Sequence, residues 1–87
     1  MSFYKNGMST LIEISKTPMA TNVWFEDTML CVALLDGREI KVPITWFPRL
    51  SNAKLNELEN WKFLGKGQGI HWPDLDEDLS VAGLFIV

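Results

Sequence analysis

The dipeptide Asp36-Gly37 stands between two runs that read as β-strands, and no other feature restricts the fold of this chain so tightly. A chain that reverses over so few residues needs a positive φ, which Gly adopts without steric cost, so Asp-Gly between strand-forming runs marks a tight hairpin. Before it, Met29 through Leu35 is rich in apolar and β-forming residues. After it, Ile40, Val42 and Ile44 alternate with Glu39, Lys41 and Pro43, the period of a strand with one buried face. Pro43 has no N–H for a ladder bond, so that strand ends there or lies at an edge. Upstream, Val23-Trp24-Phe25 is separated from Met29 by the polar Glu26-Asp27-Thr28, which adds a first hairpin. The three runs predict a three-stranded antiparallel meander.

The rest of the chain reads as shorter pieces. Trp46-Phe47-Pro48-Arg49-Leu50 is a rigid aromatic corner, after which Ser51 or Asn52 is expected to cap a helix to about Asn60, with Leu55, Leu58 and Ala53 on its buried side. Trp61-Lys62-Phe63-Leu64 reads as a strand and Gly65-Lys66-Gly67-Gln68-Gly69 as a flexible turn into Ile70-His71-Trp72, closed by Pro73. The acids between Asp74 and Asp78 suit a helix N-terminus, which predicts a short helical turn there, with Ser80 a second cap before Val81-Ala82-Gly83-Leu84. Residues 1–17 show no clear period and are expected to be a tail or an edge segment, with Leu11-Ile12-Glu13-Ile14 the edge-strand candidate. Residues 18–87 are expected to form a single α+β domain. Its predicted architecture is a small antiparallel sheet, the meander plus one or two short strands, with one central helix and a short C-terminal helical turn.

Composition narrows the function classes. The chain has 87 residues, 47% hydrophobic and 22% charged, the balance of a globular domain rather than a disordered one. A domain this small buries a limited share of its surface, so its four Trp and five Phe are expected to supply much of the core, and self-association would help. The single cysteine, Cys31, has no partner for an internal disulfide and no metal-type Cys pair exists, which suits a reducing compartment and makes the cytoplasm the expectation. The run from Asn6 to Glu13 is too polar for the apolar region of a signal peptide, and no stretch approaches a membrane span. The net charge is −3, with five basic and five acidic residues in 1–50 against three and six in 51–87. Isolated basic residues without a stripe argue against direct nucleic-acid binding.

Several local patterns invite a chemical reading. Asp74, Asp76 and Asp78 mimic the opening of a calcium loop, but Leu79 stands where the turn glycine belongs and Phe85 where the bidentate acid belongs, so no metal is expected. The glycines at 65, 67 and 69 lack the spacing of a P-loop, and Ile70 stands where a dinucleotide fingerprint needs Gly, so no cofactor is expected. His71, the one histidine, lies near carboxylates that could orient it, which keeps open a small-ligand binder or enzyme centred on His71. No nucleophile accompanies it: Ser51 and Ser80 read as caps, and Cys31 as an inert buried thiol. A non-enzymatic reading is therefore preferred, with His71 a hydrogen-bonded structural residue. The tryptophans read as core rather than as a stacking platform, because the charge around them is not basic. The apolar end, Val81 to Val87, is expected to dock on its own sheet or to meet a partner.

Asp36-Gly37-Arg38, Trp46-Phe47-Pro48-Arg49-Leu50, Ala53, Asn60-Trp61 and the run from Gly69 to Val81, GIHWPDLDEDLSV, together carry a resemblance. Over roughly residues 20–85 the chain resembles the bacterial domain-of-unknown-function family twenty-four forty-two, in the spacing of the blocks as well as their content. The resemblance implies a compact α+β domain, often encoded alone and sometimes joined to a helix-turn-helix segment. Short relatives often stand beside another small protein in toxin–antitoxin-like arrangements, which implies binding by association. The family supplies no catalytic residues, and where its central helix often carries an Arg this chain has Leu58. The polar and aromatic members of the motif are Arg49, His71, Trp72, Asp74, Asp76, Glu77 and Asp78, which become the candidate partner-binding residues. The expected function is a protein-interaction module, the antitoxin-like or regulatory member of a two-gene unit, whose partner is the product of a neighbouring gene or a second copy of itself. If Arg49 lies near the acidic turn, an ion-pair network holding two halves together is the competing structural explanation.

Overall fold

The structure, a computed structural model, describes residues 18–85. Strands β1 (Ala20–Glu26), β2 (Met29–Leu34) and β3 (Glu39–Pro43) form the predicted meander, in the order β1-β2-β3. The register sets Val23 against Val32 and Phe25 against Leu30, and on the other side of β2 sets Val32 against Ile40 and Leu30 against Val42. Strict alternation thus gives the sheet one apolar face and leaves Trp24, Cys31 and Lys41 together on the opposite one. At the second turn Gly37 has φ +97°, and the Asp36 carboxylate accepts the Arg38 N–H at 3.0 Å and its Nε–H at 2.8 Å. That backbone N–H leads the interactions holding the Asp36 carboxyl below its ordinary range. Glu26 is lowered as well, first by the Trp24 indole N–H and then by Lys41.

After Pro43 the chain leaves the sheet. A 3-10 turn, Ile44–Trp46, leads into two short helices, α1 (Pro48–Ser51) and α2 (Leu55–Glu59), in place of the one central helix expected. Asn52 ends α1 by donating its N–H to Pro48 and Leu50, and Lys54, extended at ψ 159°, restarts the helix. Neither Ser51 nor Asn52 caps α2. The Glu57 carboxylate instead accepts the Lys54 N–H at 2.8 Å, one half of a capping box. The break rotates Leu55 outward, to 64% exposure, while Leu58 stays buried and Ala53 half-buried.

The second half forms a sheet of its own, β4 (Lys62–Leu64), β5 (Gly69–Trp72) and β6 (Glu77–Ser80), in the order β4-β5-β6. In this half the structure departs from expectation at two points. The small single sheet is two three-stranded sheets, because the helical stretch after Pro43 carries the chain away before the second meander starts. The acidic run is also no helical turn: Pro73 to Asp76 form a hairpin loop and Glu77–Ser80 pairs with β5. Asp76 takes φ +52°, a conformation Asp tolerates better than most residues, and this closes the hairpin. Beyond β6, Ser80 accepts the Gly83 N–H at 3.3 Å and the 3-10 turn Ala82–Phe85 follows, where the short C-terminal turn was expected.

One hydrophobic cluster joins both sheets: Leu30, Val32 and Val42 from the first, Ile70 and Trp72 from the second, Leu50 and Leu58 from the helices, and Val81 and Leu84 from the C-terminal segment. Phe25 meets Trp72 edge to face, at 6.5 Å between ring centroids. Val81 and Leu84 thus dock on the domain itself, and Arg38 from the β2–β3 turn lies 5.3 Å over the Phe85 ring. Not every tryptophan is core: Trp72 is fully buried, Trp24 and Trp61 are half-buried, and Trp46 is 49% exposed. The sheets are also tied through the β4–β5 turn. Ala20 donates its N–H to the Gly67 carbonyl at 2.7 Å, and Val81 donates to Gln68 at 2.9 Å, so this glycine-rich turn is a docked connection, not a slack one. The edge-strand candidate at Leu11 to Ile14 and the last two residues lie outside the described residues.

Candidate functional site

The motif residues assemble around the β5–β6 hairpin and the two helices beneath its loop. Trp72 anchors it from below: its indole N–H donates to the Leu58 carbonyl at 2.9 Å inside the core, an arrangement that satisfies the last turn of α2 and the buried ring together. Arg49, carried by α1, reaches the loop from the side. Its Nη1 donates to the main-chain carbonyls of Leu75 at 3.1 Å and Asp76 at 2.9 Å, and its Nε lies 4.0 Å from Glu77. Asn60, just past α2, donates to the Asp74 carboxylate at 3.0 Å. The helices therefore hold the loop at both ends, and chiefly through its backbone.

The ion-pair network expected for Arg49 is correspondingly thin. The guanidinium side chain is 59% exposed and its shorter contacts are to carbonyls, so its contribution is mainly the shape of the loop. Asp76 and Asp78 project into solvent, and Glu77 turns inward opposite Trp72.

His71 sits on the outer face of the second sheet, between its cross-strand neighbours Lys62 and Asp78. Its Nδ1 is hydrogen-bonded to Asp78 Oδ1, and its side chain is 25% exposed. The other acids do not join it. Asp74 is bonded to Asn60, Asp76 closes the loop just before β6, and Glu77 lies on the face of β6 opposite Asp78. A site centred on His71 needs at least two carboxylates converging with it in a concavity. The strand alternation delivers one, on a sheet face. Among the described residues no group of three or more His, Cys, Asp or Glu is placed to hold a metal ion. No helix among them is long and apolar enough to cross a membrane. Cys31 is buried, and burial, ahead of the Glu26 charge, pushes its thiol up.

Sequence reasoning missed Asn60 and Leu58 as supports of the loop, and missed β6. The signal for β6 was available: Leu75, Glu77 and Leu79 alternate with Asp74, Asp76, Asp78 and Ser80, a period of two that the acid count concealed.

Residues 20–85 match the family described as "Protein of unknown function (DUF2442)". The chain belongs to that family. A crystal structure of a protein of unknown function from Rhodospirillum rubrum is similar to it, with a TM-score of 0.70 and 31% sequence identity over 79% of this chain and 86% of that one. Among curated proteins none matches. In this DUF2442 domain the signature residues divide by role: Trp72 and Arg49 build the hairpin, and the outward carboxylates are what it displays.

Proposed function

We propose that this DUF2442 domain is a non-enzymatic protein-interaction module that presents the acidic β5–β6 hairpin to a basic protein partner. One observation carries the reading: Arg49 bonds the Leu75 and Asp76 carbonyls and so holds the shape of the loop, while Asp76 and Asp78 are exposed. A preorganised loop loses little conformational freedom on binding, and exposed like charges steer an oppositely charged partner. The scatter of the acids away from His71 favours this reading over a catalytic or small-ligand site. A regulatory or antitoxin-like role beside a basic toxin is the setting it fits.

The test is co-expression with the product of the neighbouring gene, followed by co-purification and sizing. A mixed complex is expected, weakened about tenfold by Asp76→Asn with Asp78→Asn and increasingly so at low salt, with the fold kept and only a small fall in thermal midpoint, since the amide oxygen that Asp78→Asn introduces still accepts from His71. Clean separation of the two proteins, or unchanged affinity in the double variant, overturns the proposal.

A further inference from the structure

We propose that the open edge of β3 is a self-pairing surface, on which a second copy of this chain adds its own β3 antiparallel about a two-fold axis through Ile40.

Leu34 donates to the Arg38 carbonyl and Ile44 to the Thr28 carbonyl, each at 2.8 Å, which fixes both ends of the β2–β3 ladder as hydrogen-bonded pairs. Bonded and non-bonded pairs alternate in an antiparallel ladder. Val32 with Ile40 and Leu30 with Val42 are then the bonded pairs, and Ala33 with Glu39, Cys31 with Lys41 and Met29 with Pro43 the non-bonded ones. The N–H and C=O groups of Glu39 and Lys41 therefore point away from β2. Among the described residues no strand pairs with that edge.

The side chains then select the partner and the register. Glu39 and Lys41 lie on the same face, both exposed, with Ile40 half-buried between them on the core side. Placed about Ile40, two copies set Glu39 opposite Lys41 twice, as bonded pairs exchanging four main-chain hydrogen bonds, and set Ile40 against Ile40 in the closely spaced non-bonded position. Sliding by two residues in one direction opposes Lys41 to Lys41, and in the other opposes Glu39 to Glu39, so one register alone is charge-matched. Charged residues on an edge usually block pairing, through like charges meeting. Here alternation of sign reverses that effect for a copy of the same strand. Pro43, with no N–H to offer, ends the pairing where β3 ends. Lys41 already contacts Glu26 at 3.2 Å in an exposed pair, which leaves its ammonium donors for a second carboxylate.

This surface is separate from the acidic hairpin, and Asp76→Asn with Asp78→Asn leaves it unchanged. The experiment is sedimentation equilibrium on the full chain, with circular dichroism confirming the fold of each variant. The wild type is expected to dimerise in the micromolar range. Glu39→Lys, which opposes Lys to Lys twice, weakens the dimer at least about tenfold, and Glu39→Lys with Lys41→Glu, made together with Glu26→Gln so that no carboxylate faces the new Glu, exchanges the charges and recovers most of that loss. Lys41→Pro removes an outward N–H without touching the β2–β3 ladder, and is expected to give a folded monomer. A wild-type monomer at about 0.5 mM overturns the proposal; that concentration is well above the micromolar binding expected. Failure of the charge exchange to recover dimerisation, or a Lys41→Pro variant that dimerises as before, overturns it equally.

Discussion

Replacing Gly67 by Ala tests whether the two sheets are held in place by the close approach of the β4–β5 turn to β1. Gly67 has φ +97°, and a Cβ built on it would fall 2.3 Å from the Ala20 carbonyl oxygen and 3.0 Å from the Ala20 nitrogen. Neither atom belongs to a flexible side chain, so the backbone of one segment has to move. Positive φ costs an L-residue about 1–2 kcal/mol. Displacing the turn also breaks the Ala20 to Gly67 hydrogen bond, worth about 1 kcal/mol net, and loosens Ala20 from the core. The smaller entropy of Ala in the unfolded chain returns roughly 0.5 kcal/mol. The net loss is about 2–4 kcal/mol, or a fall in thermal midpoint on the order of 10–25 °C for a domain of this size. Gly37 supplies the control, since it has the same φ of +97° with nothing within 4 Å of its Cβ position. Gly37→Ala carries the backbone term alone, about 1 kcal/mol. Both midpoints are read by circular dichroism melting. Equal losses in the two variants would refute the claim that the approach to Ala20, beyond the backbone conformation, couples the sheets.

Three further outcomes follow from the same geometry. Trp72→Phe removes the donor to the buried Leu58 carbonyl and leaves a cavity, so urea denaturation is expected to show a loss of about 2–4 kcal/mol. Arg49→Ala frees the Leu75 and Asp76 carbonyls; hydrogen exchange is expected to accelerate at residues 74–77 while β2 stays protected, and uniform acceleration would place Arg49 in a global role instead. Glu26 is held below its ordinary value of 4.5 by the Trp24 and Lys41 hydrogen bonds, so its contribution is present above that value and fades as pH falls through the lower folded one. Lys41 is raised above 10.5 by the same pair, so its contribution is present below that value and fades at higher pH. Glu26→Gln is expected to flatten the acid limb of a midpoint-against-pH curve, and an unaltered limb would remove Glu26 from the account.

The parts of the candidate site legible beforehand were those written in neighbouring residues. The block from Gly69 to Val81 is where the β5–β6 hairpin lies, and His71 within it is bonded to one carboxylate, Asp78. What Arg49 does was not legible. An arginine near an acidic run suggests carboxylate partners, whereas the fold turns the loop so that two carbonyls meet the guanidinium first. Leu55 misled for a related reason: helical spacing put it beside Leu58, but the break between Ser51 and Leu55 changed the face that α2 buries.

The alternation of Ile40 and Val42 with charged residues, the Asp36-Gly37 turn and the stop at Pro43 determined the first meander without help, because strand period and turn chemistry act over a few residues. The second sheet, the paired short helices and the display of Asp76 and Asp78 were decided only by the folded whole. Those outcomes depend on contacts between residues far apart in the chain: Gly67 with Ala20, Arg49 with Asp76, Trp72 with Leu58 and Phe25. Each is a closure whose entropy cost is offset by burial elsewhere, and such a balance leaves no local period to read.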